Sequence, residues 1–131
     1  MIPTYYYVCA LIKKEDEYIL IKRIKEKLLG GLWEFPNARL ENKNTNHTDF
    51  LSRICMDNYG LNIQVENELG NYRHTYTHFK QVMYVYLCEL VDQESDSDLI
   101  YHWADIKDFS NFPMGKIFKS IGEALKKNFY E

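Results

Sequence analysis

The sequence predicts an α+β fold, an α/β/α sandwich with a mixed β-sheet between helices, built as one domain over residues 1–131. Three observations carry this. β-prone runs recur between Thr4 and Leu40 and again from Leu61 to Leu90. Two other segments, one after Asn46 and one after Pro113, repeat apolar residues at three- and four-residue spacing, the period of a helix with one buried face. No internal repeat, low-complexity tract or Pro/Ser-rich linker divides the chain. A domain of this length buries roughly two-thirds of the surface its unfolded chain exposes, enough for a core without staples.

Thr4 to Lys13 (TYYYVCALIK) is aromatic and β-branched and reads as a strand. Lys14 to Glu17 is a polar turn, and Tyr18 to Arg23 returns as a second strand of a hairpin. Ile24 to Leu29 is a basic connection. Short strands are expected at Trp33 to Phe35 and Ala38 to Leu40, around Pro36. NKNTNHT, Asn42 to Thr48, is turn chemistry, and Asn46 or Thr48 is placed to cap a helix. That helix carries Phe50, Leu51, Ile54, Cys55 and Tyr59 on its apolar face and stops at Gly60. Leu61, Ile63 and Val65 alternate with polar residues and start a strand, which Gly70 and Asn71 are expected to break. Tyr72 to Leu90 is long and β-prone, with a bend or turn near Thr75 to His78. A short strand is expected at Leu99 to Trp103, and a last helix from Pro113, with Met114, Ile117, Phe118, Ile121, Leu125 and Phe129 in one stripe.

Composition bounds the function. Hydrophobic residues are 46% and charged residues 27%, a globular profile. Eleven Tyr, seven Phe and two Trp supply either a large aromatic core or faces on which bases stack. The net charge of −3 argues against a strong autonomous nucleic-acid binder. Charge is uneven, however: Lys22, Arg23, Lys25 and Lys27 cluster in one place, and Asp92, Glu94, Asp96 and Asp98 in another. Each reads first as a solvated loop, and the basic one also as a phosphate contact. Cys9, Cys55 and Cys88 lie far apart among apolar neighbours, so buried free thiols are expected and a zinc ribbon or iron–sulfur site is not. No secretory leader and no run of ~20 apolar residues stands out, so a cytoplasmic protein without a membrane partner is expected.

The most distinctive stretch is LLGGLWEFPNARLE, Leu28 to Glu41. Gly30 and Gly31 permit a positive φ or a close backbone approach, and Pro36 ends any helix. The plain reading is a glycine turn feeding a core strand. Trp33 and Phe35 read as core and docking surface.

With its GLWEFP segment (Gly31 to Pro36), a following turn, and a helix closed by Tyr59-Gly60-Leu61, the chain resembles the Nudix fold. More narrowly, it looks like the C-terminal domain of bacterial A/G-specific adenine DNA glycosylases of the MutY type. That domain carries GLWEFP, a degenerate Nudix box, and a His-aromatic-Ser/Thr-His loop. Here the loop is His74-Thr75-Tyr76-Thr77-His78, and Trp103 with Phe112-Pro113 fits the tail. An active Nudix box, G-x5-E-x7-R-E-U-x-E-E-x-G-U with U a bulky aliphatic, holds Mg²⁺ on helical carboxylates that share one face. Aligned on Gly60, this chain supplies Arg53, then Ile54, Asp57 and Asn58 at the carboxylate positions, with Ala38 and Asn44 read at the upstream glycine and glutamate. Glu41 remains where such enzymes often place a further glutamate. One helical acid and one loop acid are thin for Mg²⁺, so no metal site, no catalytic residue and no cofactor are expected in this chain. Arg53 reads as a structural residue bonding the loop.

The resemblance implies a DNA-repair module that helps an adenine glycosylase recognise 8-oxoguanine opposite adenine. Its partners would be duplex DNA carrying that lesion and an N-terminal glycosylase catalytic domain, which would hold the iron–sulfur cluster. Oxidation at C8 turns guanine N7 into an N–H donor beside a new carbonyl acceptor, and a hydroxyl both accepts and donates. Thr77 is the matching hydroxyl, flanked by Tyr76 and His78, with Lys22, Arg23 and Lys25 toward phosphate. Two other readings stand beside this one: a standalone MutT-like pyrophosphohydrolase acting on nucleoside triphosphates, and a protein-interaction module on the same scaffold.

Overall fold

The first strand decides which helix each face of the sheet receives. In the computed structural model, which describes residues 1–22, 31–94 and 98–130, β1 (Thr4–Lys14) runs through the middle of the sheet. Side chains alternate across a strand. Val8, Ala10 and Ile12 therefore enter one buried cluster, and Cys9 and Leu11 the other. β2 (Glu17–Lys22) turns back antiparallel to β1 but pairs with it only at Lys13–Tyr18 and Lys14–Glu17. It then diverges, and β4 (Asn37–Arg39) takes over the edge of β1 from Tyr7 to Cys9. β3 (Trp33–Glu34) and β7 (Tyr101–Asp105) pair with β2. On the other side of β1 lies β6 (Lys80–Gln93), parallel to it over ten residue pairs, and then β5 (Leu61–Thr75), antiparallel to β6. The sheet is mixed, as predicted.

Each face is covered by one helix. α1 (His47–Tyr59) starts where the Asn46 side chain accepts from the Asp49 amide at 3.0 Å. It ends at Gly60, whose left-handed backbone (φ 67°) lets its amide reach Met56 O at 3.0 Å. Phe50, Leu51 and Cys55 pack from it onto the Val8, Ala10 and Ile12 face. α2 (Lys116–Tyr130) presents Ile117, Phe118, Ile121 and Leu125 to the Cys9 and Leu11 face. Phe35 of the GLWEFP segment is wholly buried in that second cluster, with ring centroids 5.6 Å from Phe109 and 6.3 Å from Phe118. Cys9, Cys55 and Cys88 are buried and free.

Three boundaries depart from expectation by more than one residue. Gly70 and Asn71 do not break the strand: β5 runs through them, and Gly70 at φ 103° absorbs a bulge while β6 continues the pairing. The bend or turn expected near Thr75 to His78 is a turn at Tyr76 to Phe79, and it divides the long β-prone segment into two strands. The strand predicted at Leu99 begins at Tyr101. The last helix starts at Lys116, because the Trp33 amide donates to Pro113 O at 2.8 Å and Trp33 bridges Met114, which holds that stretch extended. A 3-10 helix, Ile106–Asn111, precedes it and was not anticipated. The side chain of Phe129, and residues 23–30 with the basic connection, lie outside the described residues.

Candidate functional site

The predicted site residues fall into three places. The first is the outer face of α1. Arg53, Asp57 and Asn58 are exposed there, while Ile54 is half-buried and packs against the core. Arg53 reaches back to the loop before the helix: its Nη2 donates to Glu41 Oε1 at 3.3 Å, and its guanidinium lies 5.3 Å from the Phe50 ring centroid. The expected structural role of Arg53 matches this geometry. Counting the box spacing back from Arg53 puts its glycine at Arg39 and its first glutamate at Thr45, one residue beyond Ala38 and Asn44; no carboxylate stands at any of these. Mg²⁺ needs six hard oxygens in near-octahedral order. An isoleucine packed inward, an asparagine, one aspartate and a glutamate held by an arginine do not fit that demand. Among the described residues no three His, Cys, Asp or Glu side chains converge on one point.

The second place is the tip of the β5–β6 hairpin. The Tyr76 amide donates to Phe79 O at 2.8 Å and closes the turn, leaving Tyr76, Thr77 and His78 exposed together. Behind them runs a row of rings. His74 meets Tyr76 edge-on at 4.4 Å, Tyr76 stacks on Phe79 at 4.6 Å, Phe79 lies 5.6 Å from Tyr5, and the Arg39 guanidinium sits 3.7 Å over Tyr5. The Tyr76 hydroxyl donates to Gln81 Oε1 at 3.2 Å. Strand parity puts this row on the α2 side of the sheet: Tyr5 and Tyr7 continue Cys9, and Phe79 and Gln81 continue Met83. Cys9 and Met83 are wholly buried, whereas Tyr5, Tyr7, Tyr72, His74 and Phe79 remain half-exposed. Sequence reasoning found the tip but missed Tyr5, Arg39 and Phe79. The signal was present in the alternation within TYYY, but nothing local says that β1 pairs with β6.

Lys22 joins a third group. Its Nζ lies 5.8 Å from the Trp33 ring, Trp33 meets Phe112 edge-on at 5.3 Å, and Phe112 lies 4.9 Å from His102. Arg23 and Lys25, expected to contact phosphate with it, are outside the described residues.

A polar network on the opposite face was also missed. Tyr86 donates its hydroxyl proton to Glu68 Oε1 at 3.2 Å, so the 2.8 Å contact with His47 must be donated by Nδ1–H of the histidine. Burial, reinforced by the Glu68 charge, pushes the Tyr86 phenol up to about 12. This network ties the first turn of α1 to β5 and β6.

Residues 7–124 match the family model described as NUDIX domain. The chain belongs to the NUDIX domain family. No curated protein sequence matches it. Among solved structures, a MutT protein from Methanosarcina mazei Go1 superposes with a TM-score of 0.81 at 19% identity, covering 99% of this chain and 98% of that one. The E. coli ORF135 protein gives 0.76 at 15% identity, over 96% and 91%. A NUDIX hydrolase from Nitrosomonas europaea gives 0.75 at 16%, over 95% and 89%. At these identities the likeness is one of fold. The NUDIX fold predicted from GLWEFP and the helix closed by Gly60 is therefore the fold of this chain. No helix among the described residues is long and apolar enough to cross a membrane.

Proposed function

We propose that this NUDIX domain reads 8-oxoguanine in duplex DNA on behalf of an adenine glycosylase catalytic domain and hydrolyses nothing itself. The observation that carries the reading is the hairpin tip, where Thr77 stands exposed between Tyr76 and His78 at the end of a half-open aromatic row. The hydroxyl would accept from the N7–H of the lesion and donate to its new carbonyl, a contact worth roughly 1–3 kcal/mol of discrimination. Arg39 beside Tyr5 and Lys22 beside Trp33 supply cations on the same α2 side for phosphates. The altered box helix supports the same reading, because it lacks the carboxylate face that pyrophosphate hydrolysis through Mg²⁺ requires.

A second reading, a pyrophosphohydrolase acting on nucleoside triphosphates through a metal set different from the box, has its own support. A MutT protein and a NUDIX hydrolase are covered over 98% and 89% of their length by this chain, and these likenesses favour this reading over the first. Two measurements separate them. Fluorescence anisotropy at low salt should show tighter binding to a duplex with 8-oxoguanine opposite adenine than to one with guanine, and Thr77→Ala should abolish the difference. Release of pyrophosphate or phosphate from nucleoside triphosphates with Mg²⁺ or Mn²⁺, at rates unaffected by Thr77→Ala, would establish the second reading instead.

A further inference from the structure

A groove of about 520 Å³ lies between the 3-10 helix and α2, and two of its helix residues, Lys119 and Glu123, also border Tyr72 and His74 of β5. One wall is the 3-10 helix and the turn after it, with Phe109, Phe112, Pro113 and Met114 as an apolar floor. The other is α2 itself, through Lys119, Gly122, Glu123 and Lys126. Those helix positions follow one another at three- and four-residue spacing, so they form a stripe two turns long, roughly 10 Å at 1.5 Å per residue. At Gly122 a methyl group would come within 3.2 Å of the Phe109 ring, so the glycine lets α2 close onto that aromatic wall.

The charges at the rim are one-sided. Lys107, Lys119 and Lys126 surround the apolar floor, and Glu123 is the one acid among the lining residues. None of the three ammonium groups makes an ion pair within the described residues. In a chain of net charge −3 this is a local excess of positive charge around a half-buried apolar floor. Lys119 and Lys126 stand at the two ends of the stripe.

We propose that this groove docks an acidic, amphipathic helical segment of another protein. Apolar anchors at i and i+3 or i+4 of that segment would enter between Phe112, Met114 and Gly122. Carboxylates about two turns apart would meet Lys119 and Lys126. Such a site anchors the domain to a partner beside the Tyr72 and His74 stretch of β5, which Lys119 and Glu123 also border, and it does not depend on which reading of the hairpin tip holds.

The test is selection of a displayed library of random peptides, each roughly 14 residues long, on the whole chain. Selected peptides are expected to be acidic with two or three apolar anchors. They should shift the backbone resonances of Phe109, Phe112, Met114 and Gly122 in heteronuclear NMR, and bind on the order of 10-fold more weakly to Lys119→Glu/Lys126→Glu. Both substituted positions are exposed, so an unchanged spectrum elsewhere verifies the variant's fold. The proposal is overturned if no peptide is enriched, if those enriched are neutral or basic or map outside the groove, or if the charge reversal leaves affinity unchanged. It also falls if dodecanoate or a DNA duplex shifts these resonances and no selected peptide does.

Discussion

Arg53 Nη2 lies 3.3 Å from Glu41 Oε1, with both side chains more than half exposed. The arginine thus holds the one acid that the loop brings toward the box helix. An exposed pair of this kind is worth roughly 0–1 kcal/mol, since water screens it and two long side chains must be ordered. Arg53→Ala, Glu41→Gln and the double substitution should show a coupling below about 1 kcal/mol in urea unfolding. A coupling of several kcal/mol would mean the pair organises the loop rather than decorating it.

Placing acids at Ile54 and Asn58 tests how far carboxylates on this helix govern metal binding. Asn58 is exposed and tolerates Glu, but Ile54 packs against the core, so Ile54→Glu should cost on the order of 1–3 kcal/mol. The Ile54→Glu/Asn58→Glu chain should bind Mn²⁺ saturably by electron paramagnetic resonance, more tightly than the unsubstituted chain. Equal Mn²⁺ affinity in the two would show that carboxylates elsewhere hold the ion, and would strengthen the hydrolase reading.

Gly60 carries two constraints at once. Its φ of 67° is strained for any residue with a side chain, and an added Cβ would sit 3.3 Å from Glu94 Cβ. The neighbouring backbone is fixed, because the Glu94 amide donates to Gly60 O at 2.8 Å. Gly60→Ala should therefore cost about 1–2 kcal/mol and lower Tm by several degrees in calorimetry. Thr77→Ala, on an exposed tip, should leave Tm within about 1 °C, consistent with the ±0.5 kcal/mol typical of surface changes.

Local signals were strong where one residue type answers one local demand. Gly60 gave the end of α1 because a stop needs a left-handed residue, and Asn46 or Thr48 bracketed its start because a cap needs a side-chain acceptor, the structure using Asn46. Phe35 gave a core position because a large apolar ring beside Pro36 has little else to do. Reading failed where a partner strand decides. Gly70 is a break in isolation and a bulge once β6 pairs across it. Pro113 opens a helix by propensity but is held extended by the Trp33 amide. The site was legible in the same uneven way. Thr77 and its flanking residues are contiguous, so the motif displays them. Tyr5, Arg39 and Phe79 reach the tip only through the parallel pairing of β1 with β6 and of β4 with β1, which no sequence period records.

The buried acids predict how stability depends on pH. Burial pushes the Cys55 thiol up to about 12 and raises Cys9 and Cys88 as well, each above an ordinary thiol. Burial, with the Glu34 charge second, lifts the Tyr59 phenol to about 12, and Tyr86 reaches about 12 beside Glu68. A raised pKa means that the folded state keeps protons the unfolded state releases, so stability falls as pH rises past the unfolded values. The stabilisation is whole below about pH 8, begins to fail near the unfolded thiol value of about 8.5, and falls further beyond the unfolded phenol value of about 10. Tm should drop steadily from pH 8 to pH 11, and Cys55→Ala with Tyr59→Phe should flatten that slope while costing stability at neutral pH. The same burial should leave all three thiols almost unreactive toward a disulfide reagent at pH 8 until guanidinium unfolds the chain. A flat Tm profile, or prompt labelling of the native protein, would show that these groups are open to water.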